Sequence, residues 1–259
     1  MSKTIAIANQ KGGVGKSTTA INLSACLAEC GKKILTIDID PQGNTTSGLG
    51  IKKNALQYTV YELLLGECSL KQCILHLNFN NHDLLPSNIN LAGAEIELIG
   101  VNNKEYILKK QIDIIRDDYN FIIIDCPPSM NVLTVNAMTT ADTILVPLQC
   151  EYYALEGLAQ LMHIIKLVQE RLNPNLEIEG IVFTMNDART NLSLQVVENV
   201  QENLNQKIYK TIIPRNVRLA EAPSYGLPIN KYDSRSAGAE SYRLLACEVI
   251  RREDENYAG

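Results

Sequence analysis

The apolar run Thr4–Asn9 leads directly into Lys11-Gly12-Gly13-Val14-Gly15-Lys16-Ser17-Thr18, and nothing else in the chain restricts its fold as tightly. Over Lys16–Cys30 the residues Ala20, Leu23, Leu27 and Cys30 recur at helical spacing, and Gly31 stands where a helix ends in a left-handed residue. Strand, glycine-rich turn and helix in immediate succession open an α/β sheet whose ligands bind beyond the carboxyl ends of the strands. At average residue frequencies, a K-G-G-x-G-K-[ST] string arises by chance in 259 residues with a probability on the order of 10⁻⁵.

Lys33–Asp38, Phe121–Asp125, Thr143–Pro147 and Ile178–Thr184 are further unbroken apolar runs, the pattern of strands covered on both faces. Between them lie helical patterns at Ile89–Ile99, Glu105–Ile115, Leu155–Leu172, Leu192–Asn203 and Ala237–Arg252. The alternation predicts an α/β fold: a doubly wound, mostly parallel sheet with helices on both faces. With no internal repeat and no Pro/Gly/Ser-rich linker, residues 1–259 read as one domain. The stretch from Gly48 to Asn88 carries the least pattern, and Asn78–His82 reads as a polar turn.

Composition narrows the class further. A chain 46% hydrophobic and 20% charged is neither collagenous nor low-complexity disorder. It has no apolar run long enough to span a bilayer and no cleavable signal at its start, so no membrane is expected as a partner. The seven cysteines form no CxxC pair, which suits a reducing cytosol better than a disulfide framework, a zinc site or an iron–sulfur cluster, and reads as a set of small buried thiols.

The glycine-rich string carries chemistry. Backbone N–H groups of Gly12, Gly13, Val14 and Gly15 can point inward at the oxygens of a nucleotide triphosphate, and the helix starting at Lys16 aims its positive end at the same place. Lys16 can reach the β- and γ-phosphates, and the Ser17 hydroxyl can hold a magnesium ion. The strict G-x-x-x-x-G-K-[ST] pattern fails, because Gln10 stands at its first glycine and Lys11 follows. Lys11 is poorly placed to copy Lys16. It is either a second cation for developing phosphate charge or a solvated lysine beside the site. Asp125, at the end of an apolar strand, can take a magnesium-bound water. Asp38 and Asp40 close the second strand on one side of an extended segment. One of them can orient or deprotonate an attacking water, or both can serve the turn.

KGGVGKST, DIDPQGN and IIIDCPPS together resemble the deviant Walker-A ATPases. The strings LLPSNINLAGAEIEL, FTMNDARTNL and TIIPRNVRLAEAPSYGLPI are similar to the ParA/Soj branch, the chromosome and plasmid partition ATPases, and the likeness runs from Thr4 to about Val249. The resemblance implies ATP and Mg2+ as cofactors and ATP hydrolysis as the activity. It makes Lys11 the signature lysine that reaches a partner subunit's ATP, with Gly12 leaving room for that approach. Lys16, Ser17 and Thr18 match the phosphate and magnesium positions, Asp40 the aspartate that positions the water, with Asp38 beside it, and Asp125 the Walker-B acid. Pro214 and Asn216 match the adenine pocket, with Asn186 as a further contact. Arg189 and Arg218 match arginines of a DNA-binding face. It also implies an ATP-dependent homodimer, nonspecific double-stranded DNA and a ParB-type centromere-binding protein as partners, and a cytoplasmic, nucleoid-associated location.

A formal charge of −5 argues at first against nucleic acid. Its distribution argues otherwise: Arg189–Arg252 holds ten Lys/Arg against six Asp/Glu, a local balance of +4. Arg218 can also be read as a salt bridge to Glu221. A membrane-cycling ATPase of the MinD kind is the competing reading. It would end in a basic amphipathic helix, whereas here Glu253-Asp254-Glu255 follows Arg252.

Overall fold

The computed structural model describes residues 2–151, 154–187, 200 and 207–258. Its first half runs β1 (Lys3–Ile7), α1 (Lys16–Glu29), β2 (Ile34–Asp38), α2 (Asn44–Gly48), α3 (Val60–Leu65), α4 (Leu70–Cys73), β3 (Leu75–His76), β4 (His82–Leu85), α5 (Leu91–Glu97) and α6 (Ile107–Ile112). The second half runs β5 (Phe121–Asp125), α7 (Val132–Thr140), β6 (Thr143–Gln149), α8 (Ala154–Arg171), β7 (Glu177–Thr184), α9 (Val217–Glu221), α10 (Ile229–Tyr232) and α11 (Ala237–Ala258).

The seven strands form one sheet in the order β3-β4-β2-β5-β1-β6-β7, parallel throughout except for the β3–β4 pair. Because every central strand is apolar on both faces, its side chains divide between two cores. Ile5, Ile7, Phe121, Ile123, Leu145 and Val182 pack with α1 and α11. Ala6, Ala8, Ile122, Ile124, Ile144, Val146 and Phe183 face the other way, onto α3, α5, α6, α7 and α8. Tyr242 of α11 is buried against α1 with its hydroxyl 3.1 Å from that of Thr19.

Each strand read from the sequence is present, with small changes of extent. The pattern at Ile89–Ile99 contracts to α5, and that at Glu105–Ile115 divides into a 3-10 turn at Lys104–Tyr106 and α6. Helix α7 carries no helical polar–apolar alternation in its sequence because Thr134, Asn136, Thr139 and Thr140 are buried together with its apolar residues. The Leu192–Asn203 pattern lies outside the described residues, apart from a buried Val200. Cys26, Cys73, Cys126 and Cys150 are buried, but Cys30 and Cys247 are exposed, so the expected set of buried thiols is only partly realised. Among the described residues no helix is long and apolar enough to cross a membrane.

The polar Asn78–His82 stretch is mostly the turn of a β3–β4 hairpin, with Asn81 at φ +60° and Leu77 N–H donating to the His82 carbonyl at 3.2 Å. His82 itself begins β4 and is buried. The Thr36 hydroxyl donates to Ser24 Oγ at 2.8 Å, so His82 Nε2–H is the donor in its own 2.8 Å bond to Thr36, and Nδ1 has no partner. Burial holds the imidazole down to about 4, against the pull of Asp83. An unfolded histidine titrates near 6.5, so this neutral ring contributes stability that is complete above 6.5 and lost as pH falls toward 4. His82→Gln is expected to remove that component: urea unfolding from pH 7 to pH 4 should show the parent chain losing about 3 kcal/mol more than the variant.

Candidate nucleotide site

Parallel strands bring all their carboxyl ends to one edge, and the predicted phosphate loop, acids and adenine-pocket residues assemble there. The loop is shaped by its own backbone: Gly13 and Gly15 lie at φ +75° and +88°, in the left-handed region that a β-carbon disfavours. Lys16 then begins α1, directing the helix dipole into the loop. Two side chains pin this loop to neighbouring strands. Asn9 donates to the Pro147 carbonyl at 2.8 Å while its Oδ1 accepts the Lys11 N–H at 3.1 Å, and the Thr184 hydroxyl donates to the Val14 carbonyl at 2.8 Å. Gly12 differs from its neighbours. Its φ is not left-handed, and among the described residues a Cβ there would meet no atom within 4 Å beyond its two chain neighbours.

Lys16 is nearly buried, and its ammonium donates to the Lys11 carbonyl at 3.1 Å. Burial lowers its pKa against the opposing pull of Asp125. Lys11 points elsewhere, into an ion pair with Glu151 just beyond β6. Both partners are well exposed, so this pair is readily exchanged.

Asp38 and Asp125 stand opposite one another in the β2–β5 register, both with no exposed surface. Burial pushes both carboxyls above the usual range, and the neighbouring Asp38 carboxylate pushes Asp125 further. The two are used differently. Asp38 Oδ2 accepts the Thr46 N–H and hydroxyl, each at 2.7 Å, and Oδ1 accepts the Asp40 N–H at 3.2 Å. Both oxygens are thus committed to holding α2 and its entry turn. Asp125 Oδ2 accepts the Thr45 hydroxyl at 2.7 Å, the Ser17 hydroxyl lies close enough to pull the carboxyl downward, and the buried Oδ1 has no hydrogen-bond partner among the described residues. A buried carboxylate oxygen left without a donor, beside a second carboxylate and the Ser17 hydroxyl, fits a cation bound directly or through water. Asp40 accepts the Gln42 N–H at 2.9 Å, and its carbonyl accepts the Ser87 hydroxyl at 2.8 Å.

A cavity of about 530 Å³ opens beside α1, lined by Thr18, Pro214, Asn216 and the unforeseen Thr184, Met185 and Tyr242. Met185 holds a left-handed backbone at φ +51°, a strain of the kind found at ligand sites. Asn186 contributes through its main chain. Its N–H donates to the Ile213 carbonyl at 3.1 Å, its carbonyl accepts the Arg215 N–H at 3.0 Å, and it forms a bridge with Pro214. The Asn216 side chain caps α9, accepting the Arg218 N–H at 2.8 Å.

Of the two residues matched to DNA binding, only Arg218 falls among the described residues. Arg189 lies outside the described residues. Arg218 is half exposed and pairs with Glu221 at 2.9 Å, the alternative the sequence allowed, and with Asp233 at 3.4 Å. Thr45, Thr46, Ser87 and Glu151 also serve the site. Thr45 and Thr46 had a sequence signal, since they directly follow DIDPQGN, and Ser87 falls within LLPSNINLAGAEIEL, whereas Glu151 had none.

A family model described as an AAA domain matches residues 2–178. The sporulation initiation inhibitor protein Soj of Bacillus subtilis is 55% identical over 249 residues, covering 96% of this chain and 98% of its own. The chromosome partitioning protein ParA of Caulobacter vibrioides is 50% identical over 258 residues, covering 99% and 97%. The chain belongs to the ParA/Soj family of ATPases. Among solved structures, cobyrinic acid a,c-diamide synthase from Mycobacterium smegmatis, with bound ADP and magnesium, superposes with a TM-score of 0.88 at 36% identity, over 99% of this chain and 97% of that one. In this ParA/Soj-type ATPase, Thr46 joins the Asp38 carboxylate to the loop after β4, because its hydroxyl also accepts the Ser87 N–H at 2.9 Å. Thr46→Val leaves a buried amide and part of a buried carboxylate unpaired, and should lower the unfolding free energy in urea by about 2 kcal/mol or more.

Proposed function

We propose that this partition ATPase works as an ATP-dependent dimerisation switch on DNA. The observation that carries the reading is the contrast within one loop. Gly13 and Gly15 are required by their own backbone, whereas neither its backbone nor any described neighbour requires a glycine at Gly12, and adjacent Lys11 directs its ammonium away from the Lys16 pocket. A bare backbone beside an exposed cation suits the close approach of a second copy, with Lys11 leaving Glu151 for the partner's phosphates.

In this reading the backbone of Gly12–Gly15, with Lys16, Ser17 and Thr18, binds the phosphates, and Lys16 neutralises charge that develops as the terminal phosphoryl leaves. Ser17 would hold Mg2+ directly and the unpartnered Asp125 oxygen would hold it through a bound water, and the ion would supply charge neutralisation at the phosphates. Asp40 orients the attacking water. Asp38, with its oxygens committed, positions the turn that carries Asp40. The adenine base occupies the cavity lined by Pro214 and Asn216, near Asn186.

Closing the dimer joins two modest basic surfaces, to which Arg189 and Arg218 contribute, and doubles the phosphates engaged on nonspecific double-stranded DNA. For Arg218 this means exchanging Glu221 and Asp233 for a phosphate. A ParB-type centromere-binding partner stimulates hydrolysis and so releases the dimer in the cytoplasm, on the nucleoid.

Three variants separate the steps. Lys16→Ala should lower ATP turnover about 100-fold or more and abolish nucleotide binding in calorimetry. Lys11→Ala should still bind ATP, yet by light scattering remain a monomer and fail to retain DNA. Arg218→Glu should dimerise with ATP while binding DNA more weakly and with a shallower salt dependence. ATP-dependent DNA retention by a monomeric Lys11→Ala protein would sink the switch.

A further inference from the structure

Two thiols meet far from any role assigned above. Cys68 follows the left-handed Gly66 that ends α3, and Cys73 closes α4, so the chain turns back on itself between them. Their Sγ atoms are 3.0 Å apart, closer than two unbonded sulfurs ordinarily rest. The turn is built from both sides. The Ser69 hydroxyl and N–H donate to Gln72 Oε1 at 2.7 and 2.9 Å, and Cys73 Sγ donates to the Thr59 carbonyl at 3.6 Å. Cys73 is fully buried in the core beneath α3, whereas Cys68 is partly exposed. One residue is partly open to solvent and the other is buried with its sulfur 3.0 Å away, the arrangement of an attacking and a resolving thiol.

We infer that Cys68 and Cys73 are a reversible dithiol–disulfide site, oxidised by small-molecule disulfides such as that of glutathione. The Cys68 thiolate attacks one sulfur of glutathione disulfide, the S–S bond breaks, and one glutathione leaves as its thiolate. Cys73 then gives up its proton and attacks Cys68 Sγ, and the second glutathione leaves. Two protein thiols are oxidised and one glutathione disulfide is reduced to two glutathiones, with no further reactant. The order follows from access and from charge. Burial raises both thiols, and a Cys73 S–H turned from the Thr59 carbonyl toward Cys68 Sγ favours the thiolate at Cys68 and disfavours it at Cys73. In a reducing compartment the pair rests as the dithiol and responds to an oxidative excursion. Cys30 and Cys247 are exposed and close enough to hydrogen-bond to each other, so linkage mapping must separate any bridge between them from the one at Cys68 and Cys73.

The test equilibrates the full chain in glutathione buffers of graded ratio, blocks free thiols with N-ethylmaleimide, and maps linkages by mass spectrometry. The expected product is a Cys68–Cys73 bridge that dithiothreitol reverses. The folded chain should keep it at ratios at least about ten-fold more reducing than the urea-unfolded chain, because folding raises the effective concentration of one thiol at the other. Cys73→Ala should accumulate glutathione on Cys68, and Cys68→Ala should show neither bridge nor adduct at position 73. Since either variant can disturb packing, the wild-type comparison stands by itself. A stable glutathione adduct on wild-type Cys68 without a bridge, a bridge from Cys73 to another cysteine, or equal bridging in the folded and unfolded chains would each overturn the inference.

Discussion

Two buried carboxylates at the ends of adjacent parallel strands set the terms for the rest of this molecule. Asp38 and Asp125 are paired in the β2–β5 register and have no exposed surface. Two charges so placed repel each other in a medium that solvates them poorly, and each must be neutralised, hydrogen-bonded or met by a cation. The fold answers differently for each. Asp38 receives three hydrogen bonds and becomes the anchor of α2, whereas Asp125 keeps one oxygen unpartnered beside the phosphate loop. From this asymmetry follow both the rigidity of the Asp40 turn and the site's fitness for magnesium.

The same edge explains why the loop is held as it is. A chain carrying several unpaired N–H groups must be fixed from outside, and Asn9 and Thr184 fix it from the flanking β6 and β7 side. Lys16 rests meanwhile on the loop's own carbonyl. Its depressed basicity comes from burial, which also makes an incoming polyphosphate a favourable partner. Glycine is demanded by backbone geometry at Gly13 and Gly15 and not at Gly12, so one motif combines an internal requirement with one that this chain does not supply.

Some elements were legible because their pattern is local. The central strands announce themselves as apolar runs, and α1 by its spacing between Lys16 and Gly31. Helix α7 was hidden because burial removed its polar face, and β4 because it is a four-residue strand behind a polar turn. Lys16 and Asp125 were legible as site residues through the glycine-rich string and the strand end. Thr184, Met185 and Ser87 fall in strings that carry the family likeness, but their part in the site, like that of Glu151, rests on contacts with residues remote in sequence.

The sequence by itself determined the kind of sheet, the phosphate loop and the acids that accompany it, because these depend on residue type at short spacing. Tertiary structure decided which acid is anchor and which remains open, where Lys11 points, and that Cys68 and Cys73 touch. Those outcomes depend on strand register and on side chains meeting across the fold, and no local pattern encodes them. The charge followed the same rule: the net −5 said little about nucleic acid, and while pairing of Arg218 with Glu221 could be read from their spacing, its contact with Asp233 became visible only once α9 was packed.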